Sequence, residues 1–222
     1  MITKDNDYKI AKPKLLKVLE DSNDSNIFSI NNGELSGLLI KDIILDPFDI
    51  NQCQIDGCHF VNVNFNNNSM EKAEIVDCMF DNCDFSNINL SSSNIHRTMF
   101  NNCKFVGTDF GDGHFKNVIV TEAVGKYANL SYTNLKMVLF DSCNMENAYF
   151  NNATLEHFFI ENCNLKKTEF FNTTLKNIDL STNNLEDLRL SGKELEDAIV
   201  SLGQTIDLAK FLGVKIKEEN GL

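Results

Sequence analysis

Large apolar residues recur at every fifth position along most of the chain. From Leu35 to Leu190, the residues whose numbers are multiples of five are large and apolar at 31 of 32 positions, Gly125 being the exception, with no insertion or deletion. This spacing matches neither the 3.6-residue period of an amphipathic helix nor the two-residue period of a half-buried strand. The pattern therefore predicts a repeat protein in which each five-residue unit adds one side chain to a continuous core.

The cysteines share a second phase of the same repeat. All seven lie two residues before a core position, at numbers ending in 3 or 8. A free cysteine packs as a compact apolar side chain. Their spacing follows the repeat, and no histidine shares their phase, so we interpret them as core residues and expect no metal site.

Several units resemble those of pentapeptide-repeat proteins, in which a small residue, Asp or Asn, and Leu or Phe precede two variable positions. Examples are Cys83-Asp84-Phe85, Thr108-Asp109-Phe110 and Ala128-Asn129-Leu130. The resemblance implies an all-β solenoid, a right-handed quadrilateral β-helix with four units per coil, here with a short C-terminal α-helix. Positions twenty apart would then stack at about 4.8 Å, and residues 31–190 would form about eight coils.

Residues 1–30 precede the repeat and are expected to cap its open first coil. Pro13 and the apolar residues between Leu15 and Leu19 predict a short helix there. An arm that binds a partner is the alternative reading of this segment.

Residues 191–222 follow the repeat and have a different pattern. Ser201 and Gln204 fit a capping box, which predicts a helix from Leu202 to Leu212 that ends at Gly213. Val214 and Ile216 would form a short terminal strand. Many pentapeptide-repeat proteins dimerise through such a helix, so the resemblance implies a homodimer; a cap folded back on its own last coil is the alternative. The residues expected at the dimer contact are Leu202, Ile206, Ala209, Phe211 and Leu212.

A few units break the repeat rule. Gly125 lacks a core side chain, so we expect a void or a local kink at this position. Phe48 and Phe158 place rings where a small residue is usual, and Asn68 and Asn183 place an amide inward, where it needs internal hydrogen-bond partners.

The chain is acidic, with a net charge of -12 and a pI of about 4.7. This charge disfavours nucleic acid or an anionic membrane as direct partners and favours a basic protein surface. No apolar run approaches the roughly 18 residues of a membrane span, and Met1–Leu19 lacks the apolar block of a signal peptide. The sequence therefore predicts a cytoplasmic protein.

Motifs for catalysis are missing from the sequence. The four histidines fall at outward phases, away from the cysteines, and there is no phosphate-binding glycine loop, glycine-flanked nucleophilic serine or HExxH pair. We therefore expect neither an enzyme nor a cofactor, and a function carried by the outward positions.

One side of the predicted coil concentrates negative charge. The side centred on residues 40, 60, 80 and their successors carries six acids against Lys41 alone. Such a rod offers spaced negative charge to a groove built for DNA, although acidic residues can also merely keep a long stacked surface soluble. The acids of this side are Asp42, Asp81, Glu122, Asp141, Glu161 and Asp179.

The C-terminal half adds a narrower resemblance. From the Ala128-Asn129-Leu130 unit to the QTIDLAKFLGVKIK ending, the chain is similar to the Qnr-like proteins of Gram-positive bacteria, which belong with the Qnr and MfpA group. This implies binding to DNA gyrase or topoisomerase IV by mimicry of DNA, with reduced fluoroquinolone action. The unbroken register excludes the projecting loops that Gram-negative Qnr proteins need for protection. A scaffold for a different protein partner, with the charge serving solubility, is the alternative.

Overall fold

A computed structural model describes residues 9–66 and 68–214. It confirms the predicted all-β solenoid: a parallel β-solenoid of about seven turns, followed by one short C-terminal helix. All eleven strands found in these two described ranges belong to one sheet. The strands are β1 Glu20–Ser22, β2 Glu34–Ser36, β3 Leu38–Ile44, β4 Gln54–Asp56, β5 His59–Asn64, β6 Glu74–Val76, β7 Met79–Asp81, β8 Asn94–Asn101, β9 His114–Thr121, β10 Asn134–Asp141 and β11 Thr154–Glu161.

The strands of the solenoid pair in a register of twenty residues. Leu135 of β10 lies between Phe115 of β9 and Leu155 of β11, and the same step relates β8 to β9. Regular pairing is shorter than the eight coils expected for residues 31–190. Residues 171–190 contain no strand, and single bridges such as Glu169↔Arg189 join this coil to the one before it.

The corners of the coil explain the abundance of Asn and Asp. Most described residues two positions after a core position adopt left-handed backbone, with φ between 47° and 63° for the non-glycine residues of this kind; Pro47 and Thr182 are exceptions. Asn, Asp and Gly tolerate this conformation best. Larger residues such as Tyr132 (φ 60°) and Met137 (φ 56°) occupy some corners at a conformational cost.

The core consists of the multiples of five, stacked coil upon coil. Phe60, Phe80 and Phe100 are almost fully buried, and their rings stack at 4.8 and 4.9 Å between centroids. The neighbouring column meets them edge to face, as between Phe80 and Phe85 at 5.2 Å. Both geometries are favourable for aromatic pairs, so the ladder adds specific ring contacts to the burial of apolar area.

The small residues of the second phase also make a repeated hydrogen bond. Their side chains donate to the carbonyl oxygen 23 residues earlier, as from Cys103 Sγ to Phe80 at 3.4 Å and from Thr108 Oγ1 to Phe85 at 2.7 Å. All seven cysteines are free and buried. Burial raises the pKa of the Cys53 thiol to about 12 and that of Cys78 as well. All seven cysteines are therefore core residues, as the phase predicted.

The irregular units are accommodated in different ways. Met145 takes up most of the space at Gly125, because a Cβ there would lie 2.5 Å from Met145 Sδ, and only a small apolar cavity remains nearby. Asn183 is fully engaged, with Nδ2 donating to the carbonyls of Ile160 and Leu180 and Oδ1 accepting from the Cys163 amide. Asn68 is only half satisfied: its Oδ1 accepts from the Phe48 amide at 2.6 Å, whereas its buried Nδ2 has no hydrogen-bond partner among the described residues.

The N-terminal segment differs from the prediction. The prediction of a helix between Leu15 and Leu19 is wrong, because residues 9–19 form neither helix nor strand. Helix α1 comprises Ile27–Ile30 instead, and Phe28 stacks on Phe48 at 4.5 Å over the first coil. The ring of Phe48 thus fills its small-residue position by packing against the cap.

The C-terminal segment contains the predicted capping box. Ser201 N donates to Gln204 Oε1 at 2.7 Å, and Gln204 N donates to Ser201 Oγ at 3.4 Å. Helix α2 is shorter than expected, Gln204–Leu208, and continues as a 3₁₀ helix, Ala209–Leu212. Gln204 Nε2 also donates to the carbonyls of Leu180 and Asn183, which fastens the segment to the last coil.

The residues expected at a dimer contact divide between two sides of this segment. Phe211 packs against the core, together with Leu208, which the sequence pattern did not single out. Leu202 and Ile206 are exposed, at 88% and 63%, and Ala209 is half-buried. The side chain of Leu212 and the strand expected at Ile216 lie outside the described residues.

Candidate functional site: the acidic column

Three of the six candidate acids stack in one column. Asp141 and Glu161 are direct neighbours in the register of β10 and β11, as predicted. Asp81 lies in the same column, separated from Asp141 by Asn101 and Thr121. We call Asp81, Asp141 and Glu161 the acidic column. With about 4.8 Å per coil, its ends are roughly 19 Å apart.

The other three candidate acids do not belong to this column. Asp42 and Glu122 occupy the adjacent corner, where the backbone is left-handed, with φ of 52° and 55°. Asp179 is bridged to Ile199 near the C-terminal end, and its Oδ1 accepts from the Ser181 amide. The six acids expected from the sequence thus fall into three groups: three lie in the column, two lie at the corner beside it, and one lies apart from both.

Polar neighbours fix the orientation of the acids. Asp81 accepts from Asn101 Nδ2 and contacts His59 Nε2, both at 2.6 Å. Thr121 Oγ1 donates to Asn101 Oδ1 at 2.8 Å, which continues the chain of hydrogen bonds along the column. Asn162 Nδ2 donates to Asp141 at 3.1 Å. The carboxylates of Asp81 and Asp141 therefore stand in defined positions, and all three acids of the column are half-buried.

Elsewhere on the solenoid, acids are paired with bases one coil away. Lys126 Nζ lies 2.8 Å from Glu146, Lys136 lies 2.6 Å from Glu156, and Lys166 lies 2.6 Å from Glu186. The hydrogen bond from Lys126 holds the pKa of Glu146 below its usual range.

Within the described residues, no lysine or arginine forms an ion pair with the acidic column. The column therefore concentrates a negative potential that the paired faces lack.

Metal binding and membrane insertion are two further roles to compare with the described residues. Across residues 9–66 and 68–214, no three His, Cys, Asp or Glu side chains come together as a metal site. No described helix is long and apolar enough to cross a membrane.

Sequence reasoning missed the contact of His59 with Asp81. The register pairs His59 with Met79 and Asp81 with Val61, so this contact is diagonal, between residues 22 apart, and the twenty-residue step alone does not predict it.

Two repeat families match parts of the sequence. The family described as a pentapeptide repeat region matches residues 93–170, and the family described as pentapeptide repeats, in eight copies, matches residues 76–107. A comparison with curated proteins finds no match.

Among solved structures, a trypsin-treated form of QnrB1, a plasmid-mediated fluoroquinolone resistance protein, matches with a TM-score of 0.54 at 18% identity. The match covers 91% of this chain and 98% of that one. HetL, a pentapeptide repeat protein involved in heterocyst differentiation regulation from Nostoc sp. strain PCC 7120, matches with a TM-score of 0.25 at 13% identity, over 80% of this chain and 94% of that one. At these identities, the likeness to QnrB1 concerns the fold.

Proposed function

Because the chain is a pentapeptide-repeat protein, we propose that it binds a type II topoisomerase, DNA gyrase or topoisomerase IV, as a mimic of DNA. In doing so it would modulate susceptibility to fluoroquinolones. The observation that carries the proposal is the acidic column, in which carboxylates project at multiples of one coil and, among the described residues, no lysine or arginine pairs with them. The resemblance of the sequence to the Qnr and MfpA group supports the same partner, and the fold shared with QnrB1, a plasmid-mediated fluoroquinolone resistance protein, agrees with that resemblance.

The geometry suits a groove that binds duplex DNA. DNA presents one charge per about 1.7 Å of axis, whereas the acidic column presents carboxylates at multiples of about 4.8 Å. The charge spacing of the acidic column therefore matches that of DNA only in part, and a basic groove that binds the column would contact fewer negative charges than on DNA. In return, the solenoid is a preformed rod whose carboxylates are held by hydrogen bonds, so little ordering is required on binding.

Charge reversal in the column tests the proposal. Asp141→Lys with Glu161→Lys should raise the concentration that half-inhibits gyrase supercoiling at least tenfold. Glu71→Lys with Glu74→Lys is the matched control, because it changes the net charge equally on residues outside the column. The assay is run with and without ciprofloxacin, and circular dichroism checks that both variants fold. If both double variants lose inhibition equally, net charge rather than the acidic column explains the effect. If neither loses inhibition, the acidic column does not bind gyrase.

A scaffold function for a different partner remains the second candidate. The hydrogen bonds from Asn101 and His59 to Asp81 favour it, since they give the carboxylate a role in holding adjacent coils together. Affinity capture from a bacterial lysate with the wild-type chain and the Asp141→Lys, Glu161→Lys variant separates the two. Loss of captured gyrase from the variant supports mimicry, whereas another protein retained by both supports the scaffold.

We also propose that the chain forms a homodimer through its C-terminal segment, with Leu202 and Ile206 at the contact. Both are exposed apolar residues beside a segment that the last coil holds in place. Leu202→Asp with Ile206→Asp should halve the mass measured by light scattering, whereas Lys193→Asp should not. As a topoisomerase ligand, the protein would act in the bacterial cytoplasm.

A further inference from the structure

Residues 9–19 lie along the outside of the solenoid, and we call them the N-terminal strap. The Ala11 amide donates to Asn117 Oδ1 at 3.1 Å, and the Lys14 amide donates to Asp77 Oδ1 at 3.0 Å. Positions 77 and 117 are two coils apart, about 10 Å. Three residues cover that distance only when the chain is almost fully extended. At its other end, the strap joins β1, which pairs with β3 in the first coil.

The strap lies over one corner of the coil, which we call the groove and which offers the strap an acceptor at two positions, Asp77 and Asn117, with Arg97 on the coil between them. Asp77 is 8% exposed and accepts from Arg97 Nε and Nη2 at 2.7 and 2.6 Å. This hydrogen bonding to Arg97 holds the pKa of Asp77 below its usual range, so the carboxylate is charged when it accepts from the strap. Asn117 supplies the second acceptor from the same corner of the coil.

The strap has the side-chain pattern of an extended peptide bound by one edge. Ala11, Pro13 and Leu15 are half-buried, whereas the intervening Lys12 and Lys14 are exposed. Residues 9–17, KIAKPKLLK, carry four lysines and no acid. The rest of the chain is therefore more negative than the total of -12 by four charges. The long-range field of an acidic chain thus favours a basic segment on its surface.

The attachment does not require this particular segment. Both hydrogen bonds use main-chain amides of the strap, which any non-proline residue supplies. The selective elements are small or apolar residues at alternate positions and lysines between them. Another chain with this pattern could make the same contacts, as in other recognition modes based on extended peptides.

We propose that the groove lined by Asp77, Arg97 and Asn117 is a binding site for an extended, lysine-containing peptide segment of a partner protein. Residues 9–17 occupy this site in cis and compete with the partner. The proposal is independent of the topoisomerase function, because the groove and the acidic column are separate sets of residues.

The test uses the full-length chain and a fluorescent peptide with the sequence of residues 9–17. Ala11→Pro with Lys14→Pro removes both donated amides and releases the strap without altering the solenoid. By fluorescence anisotropy, the released variant should bind the peptide at least tenfold more tightly than the wild type, in which the tethered strap competes. The same peptide carrying both prolines should not bind. Equal affinity of the two proteins, or no binding to either, would overturn the proposal.

A second comparison locates the peptide. Asn117→Gly in the released variant removes one acceptor and should weaken peptide binding at least fivefold. Asn152→Gly is the matched control, since both asparagines have left-handed backbone, with φ of 57°, and Asn152 lies at a different corner. An equal effect of the two substitutions would mean that the peptide binds elsewhere through its charge, and would reject the groove.

Discussion

Filling Gly125 tests how the core adapts to a missing side chain. The regular repeat would place a leucine here, between Phe105 and Leu165 in the column of positions twenty apart. Met145 of the same column uses the space instead: a Cβ on Gly125 would lie 2.5 Å from its Sδ and 3.0 Å from its Cε, with Ala128 Cβ next at 3.9 Å. A small apolar cavity of about 10 Å³, lined in part by Phe105 and Met145, lies nearby. This space is far too small for a leucine side chain.

Gly125→Leu alone should therefore destabilise the protein by about 1–3 kcal/mol, the usual cost of overpacking a core. For a chain of this length, this lowers the thermal midpoint by about 2–4 °C per kcal/mol. Met145→Leu alone replaces one side chain by another of similar volume and should cost under about 1.5 kcal/mol. Together, the two substitutions restore the ladder of branched apolar residues. The pair should recover most of the loss, because the new leucine is buried and the flexibility of glycine is removed from the unfolded chain.

The assay is thermal and urea unfolding, followed by circular dichroism, of the wild type, both single variants and the pair. The quantity that decides is the coupling between the two positions, which we expect to favour the pair by at least about 1 kcal/mol. A Gly125→Leu variant more stable than the wild type would show that the position is empty. Additive losses would show that Met145 does not occupy the space.

Three further predictions concern single positions. Tyr132→Asn should stabilise the solenoid by about 1 kcal/mol in urea unfolding, because asparagine tolerates the left-handed corner (φ 60°) better than tyrosine; an unchanged midpoint would contradict this. Asn183→Ala should cost about 2–3 kcal/mol, since it leaves buried partners unpaired, whereas Asn184→Ala, at an exposed ladder position, should cost under about 1 kcal/mol. Burial would raise the pKa of Glu194, but hydrogen bonds from Ser191 and Asn172 hold it below its usual range. Its stabilising contribution is therefore present above the unfolded-state pKa and lost as the pH falls through the folded-state pKa, so Glu194→Gln should reduce the fall in thermal midpoint between pH 7 and pH 3.5.

Most of the core could be predicted because one residue in five reports directly on it. Phe60, Phe80 and Phe100 are buried and stacked as their phase required. The left-handed corners carried a signal too, since Asn, Asp and Gly recur two residues after core positions. It was missed because corners such as Tyr127 and Met137 depart from that composition.

The strap and the repair at Gly125 were beyond the sequence pattern for a physical reason. Ala11 and Asn117 are 106 residues apart, and the bond between them uses a backbone amide that every non-proline residue has. Local composition therefore gives no sign of it, and the leucines near Pro13 fit a helix equally well. Met145 reaches into the space at Gly125 because its side chain is flexible. The five-residue spacing of the sequence gives no information about this flexibility. The acidic column was predictable as far as register goes, but its pairing with His59 and Asn101 required the stacked coils.

The covered ends of the solenoid set its length. In a solenoid of parallel strands, each coil pairs its backbone N–H and C=O groups with those of the next coil. An uncovered end coil would leave these groups unpaired, and another molecule could add to it. Here Phe28 on Phe48 terminates one end, and Gln204, bound to the carbonyls of Leu180 and Asn183, terminates the other. Both ends of the solenoid are thus covered, which fixes its length. Loss of either cover would expose an end coil on which further molecules could stack into a fibre.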